Sequence, residues 1–141
     1  FKNAHGMHGE CVGIGTIMCA RAYHELAKRD TIEVKPYEPL DPAWVRDVFG
    51  DLADGIFKEN ENDVLKTFPP ENIKEHWQEI RDVIATIPTA EELIDLYTKI
   101  GAKHSLAELD IDESIRGEFL DISSAIRNRL TFARMTRLIV K

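Results

Sequence analysis

Along nearly the whole chain, apolar residues return every three or four positions, the spacing of helices rather than of strands. The first such stretch runs from His8 to about Arg29. Val12, Thr16, Cys19, Tyr23 and Leu26 form one stripe of it, while Ile14, Ile17 and Met18 occupy other faces. A helix apolar nearly all round belongs in the middle of a bundle. Gly9 and Gly13, followed by Thr16 and Ala20, make one face smooth. Each interior glycine costs about 0.5–1 kcal/mol relative to alanine. Close approach of a packed helix, another backbone or a ligand would offset that cost.

Local signals mark the ends of further helices. Asp41-Pro42 is an N-cap followed by proline at the first helical position, and the helix continues through Trp44, Val45, Val48 and Phe49 until Gly50 interrupts it. Leu52, Ile56, Val64 and Leu65 extend the pattern, with the polar run from Lys58 to Asp63 expected on the solvent side or in a loop. Ile73, Trp77, Ile80 and Ile84 predict one helix between Pro69-Pro70 and Pro88. Thr89 and Glu92 form a capping box before Leu93, Ile94, Tyr97 and Ile100, and Gly101 closes that helix. Asp112 or Ser114 begins another, through Ile115, Phe119, Ile122 and Ile126, and a last one spans Thr131 to Ile139. Only Thr31 to Val34, a β-branched patch ending at Lys35-Pro36, reads as a strand. The expected class is all-α, a helical bundle, with the 141 residues making one domain.

Charge narrows the functional classes. A formal net charge of -7 argues against a general binder of nucleic acid or of anionic membranes. The excess is uneven: from Ile115 onward Arg116, Arg127, Arg129, Arg134, Arg137 and Lys141 face only Glu118 and Asp121. Such a basic end meets an anion or an acidic neighbour, or simply solvates helix ends. Cys11 and Cys19 lie eight apart on one helix, roughly 12 Å of rise, too far for a mutual disulfide. That usage fits a reduced, cytoplasmic protein. Neither a signal peptide nor a membrane-inserting segment is apparent, since arginine or histidine interrupts the most apolar stretches.

The stretch HGMHGECVGIGT, residues 5 to 16, carries the candidate chemistry. A metal needs neutral imidazoles, carboxylates or thiolates converging on one point. His8 is the candidate ligand; its other reading is a hydrogen-bonded packing residue at a helix start. His5 shares its helical face only if the helix begins before Gly6, and Cys11 reads as core. Glu10 either steadies the helix start against the positive end of its dipole or hydrogen-bonds a metal ligand. Arg127 and Arg129 flank Asn128, a residue suited to a left-handed helix end. They either complement the helix C-terminus or reach a phosphate or a domain partner. His24, His76 and His104 are scattered and read as surface or satisfied residues.

HGECVGIGT, residues 8 to 16, resembles the metal-binding HGE helix of the dehydroquinate synthase-like superfamily, which includes the metal-dependent glycerol and glycerol-1-phosphate dehydrogenases. IRNRLTFARM, residues 126 to 135, looks like the IRNR-x-T signature near the C-terminus of the sn-glycerol-1-phosphate dehydrogenase branch. AWVRDVFGDLADGI and ELIDLYTKIGA are similar to helices of that branch in the same order, so the resemblance spans nearly the whole chain. It implies the C-terminal helical domain of that fold, with His8 as a ligand of a catalytic divalent metal, zinc foremost and nickel or iron otherwise. It also implies NAD or NADP as the hydride carrier between glycerol 1-phosphate and dihydroxyacetone phosphate.

The family's other metal ligands, an aspartate and an earlier histidine, precede its HGE motif, as does an α/β domain with a glycine-rich turn for the dinucleotide. This sequence has no GxGxxG and no strand-turn-helix to carry one. The expectation is therefore a fragment that is inactive alone and partners a missing dinucleotide-binding domain. A second copy could cover the apolar residues that domain would meet, making a homo-oligomer. Two alternatives remain: a dehydroquinate synthase-type cyclase domain, acting on a seven-carbon phosphate, and a non-catalytic all-α interaction module.

Overall fold

The computed structural model of the chain describes residues 6–141, and among them the secondary structure is helical. The α-helices are α1 (His8–Ala27), α2 (Pro42–Phe49), α3 (Ala53–Glu59), α4 (Glu71–Glu75), α5 (Trp77–Ile84), α6 (Ala90–Lys99), α7 (Phe119–Ala125) and α8 (Phe132–Met135). Short 3₁₀ turns join several of them. The all-α class holds. The strand expected at Thr31 to Val34 reduces to one antiparallel bridge, Val34 opposite Ile139. Lys35 N–H donates to Leu138 O at 2.8 Å and Val140 N–H to Glu33 O at 2.9 Å on either side of it. None of the described helices is long and apolar enough to cross a membrane.

The chain divides into two compact units. The first comprises the residues up to Asp30 with Glu79–Gly117, the second Thr31–Gln78 with Glu118–Lys141.

In the first unit α1 packs against α6. Its buried face is Gly13, Ile14, Ile17, Met18 and Ala20. The expected stripe is not the buried one: Val12 is 53% exposed, Thr16 is exposed, and Cys19, Tyr23 and Leu26 are half-buried. α1 therefore covers one face rather than threading a bundle. Gly13 explains the choice. A Cβ there would lie 2.7 Å from Tyr97 Cε2, so the α6 ring sits where any side chain would stand. At Gly9 an added Cβ meets nothing within 4 Å. The two glycines should thus answer oppositely to alanine. Gly9→Ala should raise stability by about 0.5–1 kcal/mol through helix propensity, and Gly13→Ala should lower it by displacing Tyr97. Melting curves that shift the same way for both variants would refute this packing account.

Caps expected from sequence are in place. Thr89 Oγ1 accepts from Glu92 N–H at 3.2 Å, and the Glu92 carboxylate accepts from Thr89 N–H at 2.8 Å. Gly101 follows α6 with φ 67, the left-handed geometry that favours glycine. The next turn is held by Glu108, which accepts from His104 N–H at 3.0 Å, Ser105 N–H at 2.9 Å and the Ser105 hydroxyl at 2.7 Å. These donors, the His104 amide foremost, lower its carboxyl to about 2. A folded value below the ordinary 4.5 means the turn gains stability above that value and loses it as pH falls towards 2. In an NMR titration the His104 and Ser105 amides should move with a midpoint near 2. A midpoint at the ordinary carboxylate value would contradict the assignment.

One core cluster of the second unit is Val45, Ala53, Ile56 and Ala125, with Leu40, Trp44, Phe49 and Phe57 packed around them. Asp41 accepts from Ala43 N–H at 2.9 Å and starts α2 as expected. Gly50, at φ 53, ends it. The single helix expected over Ile73, Trp77, Ile80 and Ile84 is two, because the chain leaves helical geometry at His76 (φ -99, ψ 19). The last predicted helix is the short α8 with a 3₁₀ turn, Thr136–Leu138.

Candidate functional site

His8 is the first residue of α1, the longest of the described helices at 20 residues, and its side chain is exposed. It makes no hydrogen bond to another described residue.

Glu10 is committed locally. Its carboxylate accepts from Met7 N–H at 2.8 Å, the return half of a capping box whose first half Met7 cannot supply. It also pairs with Lys103 Nζ at 3.3 Å. The Met7 amide first, and Lys103 with it, hold the Glu10 carboxyl below its ordinary range against the opposing effect of desolvation. Cys11 is exposed and Cys19 half-buried; both are free thiols, and burial pushes the Cys19 thiol up. His5 lies outside the described residues.

Metal chemistry requires convergence. Among the described residues no three His, Cys, Asp or Glu side chains gather into a metal-binding group. His8 can offer one donor atom, and Glu10 is held by a backbone amide and a lysine. The described residues by themselves do not fit a resident metal.

The other sequence candidates lie in the second unit. The Arg127 and Arg129 side chains are exposed, and neither forms an ion pair with a described residue. The residues around them have structural work instead. Asn128 Oδ1 accepts from Val64 N–H at 2.9 Å, its Nδ2 donates to Asn62 O at 2.8 Å, and its own N–H donates to Glu59 Oε1 at 3.0 Å. The IRNR stretch thereby clasps the segment that follows α3.

Beside it sits a buried charge cluster that sequence reading missed. Arg134 is fully buried. Its Nε donates to Asp63 Oδ1 at 3.0 Å, and one terminal nitrogen donates to Ser124 O at 2.5 Å and Arg127 O at 2.9 Å. The other meets Asp63 Oδ2 at 3.0 Å and Asn60 Oδ1. Arg137 adds a second bond to Asp63 Oδ2 at 2.9 Å and lies over the Tyr37 ring at 5.9 Å. Burial pushes the Asp63 carboxyl up, but Arg134, the Leu65 N–H and Arg137 outweigh it and leave the group lowered, hence ionised.

The run from Lys58 to Asp63, expected on the solvent side or in a loop, thus includes a carboxylate only 3% exposed. One signal for it stands in the sequence. Arg134 is four residues after Leu130 and four before Leu138, so it occupies the apolar stripe of its own segment. Four of the six basic residues from Ile115 onward have acidic partners: Arg134 and Arg137 share Asp63, Lys141 meets Asp121, and Arg116 meets Glu113.

No family model matches the chain, and no curated protein or solved structure matches it.

Proposed function

We propose that this chain is a helical domain of an sn-glycerol-1-phosphate dehydrogenase-like enzyme, contributing the His8 imidazole to a divalent-metal site completed by residues outside this sequence. One observation carries the reading: HGE, residues 8 to 10, opens the longest described helix with its histidine exposed, and IRNRLT follows at residues 126 to 131. Glu10 and Lys103 hold the first turn in place, so His8 would be presented by a fixed helix end rather than by a loose strand of chain. Arg127 and Arg129, exposed and without a described counter-ion, are the proposed partners of a phosphate or of the dinucleotide-binding domain.

The test uses a chain in which this domain is joined to an α/β dinucleotide-binding domain. It should reduce NAD or NADP with glycerol 1-phosphate, and the 141 residues alone should not bind the cofactor saturably, lacking a phosphate-cradling turn. Phosphate release from a seven-carbon substrate without net cofactor reduction would move the domain to the cyclases. Saturable NADH binding by the 141 residues would overturn the division of labour.

A further inference from the structure

We propose that the loop of residues 126–130, between α7 and α8, docks an acidic polypeptide segment that carries aliphatic side chains beside its carboxylates. Of the two partners named above for Arg127 and Arg129 this is the protein surface rather than the phosphate, and it rests on that reading only in treating both as contact residues. Unpaired charge is the first ground. Arg21, Arg46, Arg81, Arg116, Arg134 and Arg137 each reach a carboxylate. Arg127 and Arg129 reach none among the described residues, although acids outnumber Lys and Arg by 25 to 18 in the chain. A free guanidinium fits a carboxylate through two parallel hydrogen bonds.

The main chain that carries these two arginines is fixed without a partner. Arg127 O accepts from the buried Arg134 and from Arg129 N–H, both at 2.9 Å. Asn128, between them, is tied to Val64, Asn62 and Glu59. A segment that docks here meets a set backbone, so less order is lost on binding. Apolar flanks then narrow the partner. Ile126 and Leu130, on either side in sequence, are 46% and 52% exposed. Single exposed aliphatics are ordinary, but these two bracket the unpaired charges. Covering them favours a partner with aliphatic side chains, which neither inorganic phosphate nor a nucleic-acid backbone supplies. The net charge of -7 opposes a polynucleotide further.

An acetylated hexapeptide of alternating glutamate and leucine, added to the ¹⁵N-labelled 141-residue chain, should shift the amides of residues 126–130. The shifts should saturate, with a midpoint below about 1 mM. Arg127→Gln and Arg129→Gln should each weaken binding about threefold, and together about tenfold. Leu130→Ser should weaken it about threefold. Lys99→Gln removes the same charge at an exposed position of the first unit and should leave the affinity unchanged. All four side chains are exposed, so the melting temperature should hold in each variant. Unchanged affinity in the double variant, or an equal loss in Lys99→Gln, would overturn the proposal. So would equal shifts from inorganic phosphate at matched ionic strength, or the same shifts on concentrating the chain alone, which would give the loop to a phosphate or to a second copy. No enzyme assay enters this test, so its failure leaves the His8 metal site standing, and failure of that site leaves the docking loop standing.

Discussion

Arg134→Leu should destabilise the second unit by about 3–5 kcal/mol, the usual cost of stripping one partner from a buried ion pair. The arginine is fully buried and its guanidinium answers Asp63, Asn60 and two main-chain carbonyls. Leucine leaves those carbonyls without a donor and the Asp63 carboxylate with Arg137 and the Leu65 N–H alone. Removing both charges at once, in Asp63→Leu with Arg134→Leu, should cost less than the sum of the single changes, because neither partner is then stranded. Trp44 and Trp77 both belong to this unit, so tryptophan fluorescence in a denaturant titration reports on it. A loss below about 1 kcal/mol for Arg134→Leu would mean the cluster is solvated and its role misassigned.

If the proposed function holds, His8→Ala should lower the activity of the proposed parent enzyme more than about 100-fold, since even outer partners of metal ligands cost 10–100-fold. A catalytic metal usually has three protein ligands, and losing one opens a second solvent position. The same change should leave the fold alone. The His8 side chain is exposed and makes no hydrogen bond to a described residue, and the start of α1 is closed independently by Glu10 on the Met7 N–H. Loss of activity with an unchanged melting temperature is therefore the expected signature, distinct from that of Arg134→Leu.

Helix ends written in local chemistry were readable from sequence. Asp41-Pro42, Thr89 with Glu92, and Gly101 act on their own neighbours, and each stands where the spacing put it. Facing was harder to read. α1 carries apolar residues on several sides, and periodicity alone cannot say which side packs; the Tyr97 ring lying over Gly13 decides it. The stripe through Ile73, Trp77, Ile80 and Ile84 likewise survives the break at His76, so spacing could not reveal two helices there. The Asp63–Arg134 pair joins residues 71 apart. No local window sees such a partner, and an acid in a polar run looks solvated until its partner is placed. At the candidate site His8, Glu10 and Cys11 were legible as residues, whereas the Lys103 contact on Glu10 comes from 93 residues away.

Metal analysis of the proposed parent enzyme, beside its His8→Ala variant, tests the central claim most directly. The account predicts about one divalent ion per chain in the parent, a marked loss of it in the variant, and loss of glycerol 1-phosphate oxidation together with the ion. Equal metal content and equal activity in the two proteins would contradict it and leave His8 as a solvent-facing residue at the start of a helix.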